Sequence, residues 1–537
     1  MSGDSTVHDV TYQLLRSLGM TTVFGNPGST EQSFLRNFPR DFTYVLGLQE
    51  ATVMAMADAF AQATRRPALV NLHSSAGLGH AIGSLVSVYD AHTPLIVTTG
   101  QQHREMVIGE PFLSNREATT LPRPWVKWSY EPLRAQDVPE AFMRAYAIAA
   151  QPPAGPVYLS IPFDDWNVPL EGPPVVRSVS TVCAPEPERL RGFARRLSAS
   201  RRPVLVIGPE VDRAGGWHAA IALAEKLRAP VFGAALPDRV SFPEDHPLYQ
   251  GRLGMSQRAV SEMLAGYDLV AVIGAAVFRY YPYSPGDILP AGADLIQITG
   301  DPDSAGTARV GDSILGDPRI AIELLTELVD DGADRSQARP MRRSRDLPRV
   351  PGGPLGGEEV HAILNAARPR EAVIVYESTS TMEQQVEWLP VIEPGSFFAT
   401  ASGGLGWGVP GAVGVALGDR DRGVRRPVIA VIGDGSFEYS VQALWTAAQQ
   451  ALPIVYVVLR NNEYSILKSF ADLEQTPGVP GLDLPGLDIA ALAHGFGCRA
   501  VDVSSAAELE KEVTAALEAD TPTVIVVPTR PQKVALG

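Results

Sequence analysis

The 537-residue chain is poor in cysteine and in basic residues. It contains only Cys183 and Cys498, so neither a disulfide framework nor a cysteine-rich zinc site is supported. Its 45 lysines and arginines are outnumbered by 60 aspartates and glutamates, which gives a formal net charge of −15. Nucleic acids and anionic membranes bind basic surfaces, so this balance argues against both as partners.

Long apolar runs are also missing. No stretch approaches the ~20 residues of a membrane-spanning helix, and residues 1–9 lack the basic-then-apolar pattern of a signal peptide. We therefore expect a cytoplasmic protein.

The remaining composition is that of a globular protein. Hydrophobic residues make up 45% and charged residues 20% of a chain long enough for about three domains. Segments rich in proline and glycine, residues 165–188 and 339–357, are predicted to separate the domains. The resulting pieces, residues 1–180, 185–338 and 355–537, each alternate short apolar strands with helical patterns. We predict an α/β protein with three doubly wound parallel sheets.

The most informative stretch lies in the C-terminal third. Residues 427–432 and 453–459 are apolar runs rich in β-branched side chains, which predicts buried strands. Helical spacing over residues 436–450 joins them into a βαβ unit, so both strands should end at the same edge of a sheet. Asp434 and Asn461 follow these two strands. Their carboxylate and amide oxygens suit Mg²⁺, which prefers about six oxygen ligands.

Glycines flank the first of these residues. Gly433 and Gly435 surround Asp434, and Gly435 would let the backbone approach a phosphate at the start of the following helix. A Gly-Asp-Gly sequence alone could equally be an ordinary turn between a strand and a helix. The asparagine at the end of the next strand favours the metal and phosphate interpretation.

Three polar side chains in the first piece each follow a predicted strand: Ser29, Glu50 and His73. Strand order should gather them at one edge of a sheet, where α/β proteins bind ligands. Each also has a structural explanation: a helix cap for Ser29, an acid favoured by a helix dipole for Glu50, and a satisfied core histidine for His73. Glu50 precedes a helix rich in alanine and methionine, where an unpaired carboxylate is costly.

The middle piece carries three predicted strands, at residues 203–208, 269–274 and 294–298. No Gly-x-Gly-x-x-Gly follows a strand here, so a dinucleotide site is not predicted. We expect a structural domain whose loop, residues 277–286, reaches the active site. The three tyrosines and two prolines of that loop could equally serve packing.

These stretches together resemble the thiamine-diphosphate (ThDP)-dependent 2-oxo-acid decarboxylases, and within that family the benzoylformate decarboxylases. The resemblance runs from about residue 8 to residue 533, and the matching stretches include residues 23–29, 48–50, 71–74, 121–131, 155–160, 377–381, 403–406, 433–435, 443–449 and 480–486. It implies ThDP and Mg²⁺ as cofactors, a small aromatic 2-oxo acid, benzoylformate or a relative, as substrate, and release of an aldehyde and CO₂. Because two subunits hold the two ends of the cofactor in this family, it also implies at least a homodimer and suggests a tetramer.

The resemblance also assigns cofactor roles to individual residues. Asp434, the Asn461 side chain and the backbone carbonyl of Glu463 would hold Mg²⁺. Glu50 would bond the aminopyrimidine ring, and Leu405 would wedge the cofactor into a bent shape. The other implied cofactor contacts are the Gly403 carbonyl, Thr379, Ser380, Gly435 and Ser436.

On the substrate side, the resemblance implies that Ser29 binds the carboxylate and that His73 orients the substrate and moves a proton. Leu467 and Phe470 would form a hydrophobic wall. Tyr281 departs from the family pattern, because it stands where these enzymes carry a second catalytic histidine.

A phenol has an ordinary pKa of about 10 and is a poor base at neutral pH, although it can donate a proton. Tyr281 or His103 could supply the missing proton donor. The enzymatic alternatives are carboligation, in which an aldehyde captures the reaction intermediate, and decarboxylation of a different 2-oxo acid. A protein that binds the cofactor without catalysis is the non-enzymatic one.

Overall fold

The protein is built from three parallel sheets, each of six strands, with helices around them. The computed structural model describes residues 5–335, 353–534 and 536. Every recorded pairing between neighbouring strands is parallel. The predicted fold class is therefore confirmed. Within the predicted second linker, residues 339–352 lie outside the described residues.

The N-terminal sheet places the three predicted strand-end side chains on adjacent strands. Its strands are β1 (Thr22–Asn26), β2 (Thr43–Leu46), β3 (Ala68–Leu72), β4 (Leu95–Gln101), β5 (Trp128–Tyr130) and β6 (Val157–Pro162). Its α-helices are α1 (Val7–Ser17), α2 (Gln32–Leu35), α3 (Glu50–Thr64), α4 (Ser74–Asp90), α5 (Arg104–Val107) and α6 (Val138–Ala150). The strand order is β2-β1-β3-β4-β6-β5.

The middle sheet has its own hydrophobic core. Its strands are β7 (Pro203–Ile207), β8 (Val231–Gly233), β9 (Tyr249–Arg252), β10 (Leu269–Ile273), β11 (Asp294–Thr299) and β12 (Asp312–Leu315). Its α-helices are α7 (Pro187–Ala199), α8 (Pro209–Arg213), α9 (Trp217–Leu227), α10 (Gln257–Met263), α11 (Pro302–Gly306) and α12 (Pro318–Leu328). The strand order is β12-β11-β10-β7-β8-β9.

The C-terminal sheet contains the predicted βαβ unit. Its strands are β13 (Val373–Glu377), β14 (Phe397–Ala399), β15 (Val428–Gly433), β16 (Ile454–Arg460), β17 (Arg499–Asp502) and β18 (Thr523–Pro528). Its α-helices are α13 (Gly357–Ala367), α14 (Met382–Trp388), α15 (Gly408–Asp421), α16 (Asp434–Glu438), α17 (Ala443–Gln449), α18 (Ser465–Leu473), α19 (Ile489–Gly495) and α20 (Ala506–Leu517). The strand order is β14-β13-β15-β16-β18-β17.

The predicted helix over residues 436–450 was wrong in detail, because the structure divides it into α16 and α17. Between them, the amides of Ala443 and Leu444 donate to carbonyls three residues earlier, both at 3.1 Å. This spacing is tighter than that of an α-helix. The first helix begins at Asp434 itself, so the predicted metal ligand is the first helical residue.

Strand β2 ends at Leu46, and three residues separate it from Glu50. The last of these, Gln49, caps α3, because its side-chain oxygen accepts a hydrogen bond from the Thr52 amide at 3.0 Å. The cap satisfies one of the free N–H groups at the helix start.

Helix α3 is buried on most of its faces, as its alanine-rich and methionine-rich sequence predicts. It packs along α15 and so joins the N-terminal sheet to the C-terminal one. Asp58 lies in this contact with 1% of its surface exposed, and it accepts a hydrogen bond from Trp407 Nε1 at 2.7 Å. Burial raises the pKa of the Asp58 carboxyl.

Within the described part of the chain, no helix is both long and apolar enough to span a lipid bilayer.

Candidate active site

The carboxyl ends of β15 and β16 bring the predicted metal ligands together. These strands pair in parallel with Gly433 opposite Leu459, so Asp434 and Asn461 follow at neighbouring positions. Asp434 is 2% exposed, and its carboxylate accepts hydrogen bonds from the amides of Asn462 at 2.7 Å and Gly435 at 2.9 Å. Burial raises the pKa of Asp434, and the backbone N–H groups oppose that rise.

Asn461 and Glu463 form the second half of this loop. The Asn461 amide oxygen accepts a hydrogen bond from the Glu463 amide at 3.1 Å, and its nitrogen donates to Ser465 Oγ at 2.9 Å. The Glu463 side chain is held by Ser465 and by Lys468. These contacts account for the Glu463 carboxylate, which the sequence reasoning left without a metal role.

The oxygen atoms in this loop fit a hard divalent cation. Amide and carboxylate oxygens accept more than one interaction, so Asp434 and Asn461 retain capacity for a metal. Among the described residues, no group of three His, Cys, Asp or Glu side chains could hold a metal. An ion here would therefore combine the one carboxylate of Asp434 with amide, carbonyl and phosphate oxygens, a donor set suited to Mg²⁺.

Gly435 is required for a reason that the sequence did not reveal. A Cβ atom at this position would lie 2.4 Å from a ring carbon of Tyr464. The glycine thus allows the Tyr464 ring to pack on the start of α16. Ser436, the next residue, is 6% exposed.

Two further predicted cofactor residues follow β13, which pairs with β15. Thr379 and Ser380 open a 3₁₀ turn over Thr379–Thr381 directly after this strand. They line a cavity of about 510 Å³ together with Met255 from the middle sheet's loops and Lys533 near the C-terminus. The strand ends of β13, β15 and β16 therefore carry the predicted diphosphate and metal residues side by side.

A buried carboxylate holds the loop that contains Gly403 and Leu405. Glu377, at the end of β13, accepts hydrogen bonds from the amides of Gly406 at 2.8 Å, Trp407 at 3.2 Å and Gly408 at 2.7 Å. Burial raises the pKa of Glu377 to about 7. Leu405 is half-buried, and Gly403 is exposed with a φ of +75°. Sequence reasoning gave Glu377 no role.

The N-terminal sheet gathers Ser29, Glu50 and His73 at one edge, as strand order predicts. Ser29 is exposed and begins a 3₁₀ turn after β1, and Glu50 is the first residue of α3. His73 follows β3 and caps α4 without a side-chain cap hydrogen bond.

Glu50 is 9% exposed and has two partners in its own domain. Asn26 Nδ2 donates to one carboxylate oxygen at 3.1 Å, and His80 Nδ1 lies 3.0 Å from the other. These two hydrogen-bond partners offset the desolvation cost of a buried carboxylate at the start of an apolar helix. The His80 contact had no sequence signal, because it depends on how α4 lies beside α3.

His73 is held by residues of the turn after β1. Its Nδ1 lies 2.9 Å from Glu31 Oε2 and 3.1 Å from Thr30 Oγ1. The side chain keeps 21% of its surface exposed. His73 is therefore not a fully buried core histidine, although Nδ1 has hydrogen-bond partners.

The middle-domain loop reaches the predicted substrate wall. The Tyr281 ring centroid lies 5.0 Å from that of Phe470, and the Tyr281 amide donates to the Met255 carbonyl at 2.9 Å. Tyr281 is 60% exposed and Leu467 is 44% exposed. His103, the alternative proton donor, instead contacts Asp164 at 3.6 Å.

Comparison with known proteins identifies the family of the chain. Residues 5–116, 190–328 and 379–527 match the N-terminal TPP binding domain, the central domain and the C-terminal TPP binding domain of thiamine pyrophosphate enzymes; thiamine pyrophosphate is another name for ThDP. Benzoylformate decarboxylase from Pseudomonas aeruginosa is 47% identical over 533 residues, which cover 98% of this chain and 99% of that protein.

Solved structures give the same result. The crystal structure of benzoylformate decarboxylase from Polynucleobacter necessarius is 46% identical with a TM-score of 0.96, and the match covers 99% of this chain and 100% of that one. A Mycobacterium smegmatis protein assigned as a thiamin diphosphate-dependent enzyme is 61% identical with a TM-score of 0.95, over 98% of this chain and 100% of that one. The chain belongs to the thiamine pyrophosphate enzyme family, and within it to the group that contains the benzoylformate decarboxylases.

Proposed function

We propose that this protein is a ThDP- and Mg²⁺-dependent decarboxylase that converts an aromatic 2-oxo acid, benzoylformate or a close relative, into the aldehyde and CO₂. The observation that carries the proposal is the placement of the polar residues. Oxygen ligands and hydroxyl groups follow three neighbouring strands of the C-terminal sheet, and an acid, a serine and a histidine follow three neighbouring strands of the N-terminal sheet. The benzoylformate decarboxylases named above supply the substrate class.

The C-terminal edge would hold the cofactor's diphosphate through a metal. Asp434, the Asn461 amide oxygen and the Glu463 carbonyl would bind Mg²⁺, which in turn would bind phosphate oxygens. The residues proposed to contact the diphosphate itself are Thr379, Ser380, Gly435 and Ser436. When bound, ThDP supplies the electron sink that loss of CO₂ requires and that side chains cannot provide.

The loop before α15 would shape the other end of the cofactor site. The Gly403 carbonyl would accept a hydrogen bond from the aminopyrimidine, and Leu405 would support the bent shape of the cofactor. The Glu377 carboxylate binds this loop by accepting hydrogen bonds from three backbone amides. The end of the loop next to Leu405 is thus held without a ligand, and such preorganisation lowers the entropic cost of binding.

The N-terminal edge would supply the acid, the proton carrier and the substrate anchor. The Glu50 carboxylate would hold a proton at the aminopyrimidine ring, and Ser29 Oγ would donate a hydrogen bond to the substrate carboxylate. His73 would orient the substrate and carry a proton on its imidazole.

The proposed substrate wall suits an aromatic side chain. Phe470 and Leu467 both lie on α18, and the Tyr281 ring packs against Phe470 at 5.0 Å between centroids. Aromatic pairs at such distances add about 0.5–1.5 kcal/mol beyond the area they bury. A planar aryl group can extend this cluster, whereas a methyl group such as that of pyruvate would leave it unfilled.

We also propose a cytoplasmic homo-oligomer, at least a dimer and by family resemblance a tetramer. The two hydrogen-bond partners of Glu50 belong to its own domain, and the metal residues lie on another sheet. A second subunit would bring the two edges together on one cofactor. Light scattering of the purified protein measures the assembly, and a monomer that is active would contradict this part of the proposal.

Carboligation is the second candidate, and Tyr281 is the observation that favours it. This tyrosine stands where the family resemblance implies a second catalytic histidine, and a phenol gives up or takes up protons less readily near neutral pH. If protonation of the intermediate is slow, an aldehyde can capture it instead.

A panel of 2-oxo acids separates the two candidates. The protein is incubated with ThDP and Mg²⁺ and with benzoylformate, 4-hydroxybenzoylformate, phenylpyruvate or pyruvate, and CO₂, aldehyde and hydroxyketone are measured. Decarboxylation predicts equal amounts of CO₂ and aldehyde, with benzoylformate or its 4-hydroxy relative preferred. Hydroxyketone as the main product, or preference for pyruvate, would overturn the proposed activity.

A further inference from the structure

A buried carboxylate lies directly behind the proposed proton carrier. Glu31 follows Ser29 by two residues, and its side chain has no exposed surface. It accepts hydrogen bonds from the amides of Gly28 at 3.0 Å and Gly100 at 2.8 Å, and from Thr30 Oγ1 at 2.8 Å. His73 Nδ1, 2.9 Å away, completes the set. A carboxylate placed among four potential donors has every lone pair used.

These contacts select one tautomer of the histidine. Thr30 Oγ1 donates its single proton to Glu31 Oε1, so it cannot also donate to His73 Nδ1, which lies 3.1 Å away. Glu31 has no proton to donate when it is ionised. The proton between them must therefore sit on His73 Nδ1, and the neutral imidazole then carries its lone pair on Nε2.

Steric contact fixes the same ring from another side. A Cβ atom at Gly28 would lie 2.2 Å from His73 Nδ1 and 2.3 Å from Cγ, so the ring packs directly on the glycine backbone. The edge that carries Nδ1 thus faces the protein. The His73 side chain as a whole keeps 21% of its surface exposed.

We propose that Glu31 is a positioning residue that holds His73 with Nδ1–H on its carboxylate and Nε2 free to exchange a proton with the substrate. The identity of that substrate rests on the proposed function. The tautomer of His73 does not, because it is set by residues of the protein alone. The same relationship between a buried acid and a histidine orients the base in hydrolytic triads, where the matching amide substitution gives the wrong tautomer.

The test substitutes Glu31→Gln and reads the His73 tautomer by ¹⁵N NMR of histidine-labelled protein, with the His73 signals assigned by their loss in His73→Gln. A glutamine amide can donate to Nδ1, so we expect the Nε2–H tautomer in the variant and the Nδ1–H tautomer in the wild type at pH 8. We also expect kcat to fall about 10²-fold or more with a smaller change in KM, because only a proton transfer is impaired.

Glu210→Gln is the matched control. Glu210 accepts hydrogen bonds from Thr299 Oγ1 at 2.7 Å and from the Gly300 amide at 2.8 Å in the middle domain, as Glu31 does from Thr30 and Gly100. Its amide variant should leave the His73 tautomer and kcat unchanged.

Two results would overturn the proposal: an Nε2–H tautomer in the wild-type protein, which needs no variant to fold, or unchanged His73 signals and kcat in Glu31→Gln. Lack of decarboxylase activity in the wild type together with the expected tautomers would instead overturn only the proposed function.

Discussion

The rings of Tyr281 and Phe470 lie 5.0 Å apart between centroids, at an interplanar angle of 40°. This contact joins a loop of the middle domain to helix α18 of the C-terminal sheet. It places the phenol at the proposed substrate wall, where the family resemblance implies a second histidine. Tyr281 can therefore act at this wall either by packing or by donating the proton of its hydroxyl group.

Substitution of Tyr281 separates packing from proton donation. Tyr281→Phe keeps the ring and removes the hydroxyl, so we expect kcat for benzoylformate to fall roughly 10²-fold with little change in KM if the hydroxyl gives a proton. Steady-state kinetics measures both constants. Tyr283→Phe, in the same loop and 86% exposed, is the control and should behave like the wild type. An unchanged kcat in Tyr281→Phe would leave the tyrosine with a packing role only.

Asp434→Asn should weaken cofactor retention. Loss of the charge at the proposed metal site removes the strongest oxygen ligand, and we expect the affinity for ThDP in the presence of Mg²⁺ to fall by about 10-fold or more. A bound ligand stabilises the folded protein in proportion to the logarithm of its excess over Kd, so the thermal shift on addition of ThDP and Mg²⁺ should shrink. Asp41→Asn, an exposed acid paired with Arg16, is the control. A full thermal shift in Asp434→Asn would contradict the assigned ligand.

Glu50→Gln should abolish turnover without unfolding the protein. The amide can still accept a hydrogen bond from Asn26, so we expect a normal melting temperature while turnover becomes slower by about two orders of magnitude or more. Glu140→Gln, which changes another acid in the first turn of a helix, controls for the interaction with the helix dipole. Wild-type turnover in Glu50→Gln would remove this residue from the chemistry.

A buried histidine outside the site should contribute a loss of stability in mild acid. His361 has no exposed surface, and burial lowers its pKa from 6.5 to about 4. Between those values the unfolded chain binds a proton that the folded protein does not, so stability is lost as the pH falls. The contribution of His361 between pH 7 and pH 5 is a loss of about 2 kcal/mol. Glu377 contributes in the opposite direction, because its raised pKa lets the folded protein bind a proton that the unfolded chain does not.

His361→Gln isolates this effect. The glutamine can still donate to the Gly357 carbonyl, which His361 Nδ1 contacts at 2.6 Å. Chemical denaturation at pH 7 and pH 5 gives the change in the free energy of unfolding between the two pH values. That change should be about 2 kcal/mol more favourable to the folded state in the variant than in the wild type. An identical change in both proteins would show that His361 makes no such contribution.

The sequence predicted those parts of the site that follow from parallel strand order. Asp434, Asn461 and His73 each follow a buried apolar strand, and the carboxyl ends of parallel strands share one edge. Glu50 follows the edge strand β2, in which only Val45 is buried. The composition of α3 likewise predicted that this helix is buried, because its apolar residues lie on most of its faces.

The supporting residues could not be predicted in this way. Glu31 accepts a hydrogen bond from the Gly100 amide, 69 residues away in the sequence. Glu377 accepts one from the Gly408 amide, 31 residues away. Such partners depend on how two loops pack, which leaves no periodic pattern in either segment. The split between α16 and α17 was missed for a related reason, since both halves keep the apolar spacing of one helix.

The most direct test removes and restores the cofactor. The purified protein is dialysed against a chelator, and benzaldehyde formation from benzoylformate is then measured with neither addition, with ThDP or Mg²⁺ alone, and with both. We expect activity only when both are present. Benzaldehyde formation that is independent of ThDP, or no benzaldehyde in any sample while the cofactor binds, would contradict a ThDP-dependent aromatic 2-oxo-acid decarboxylase.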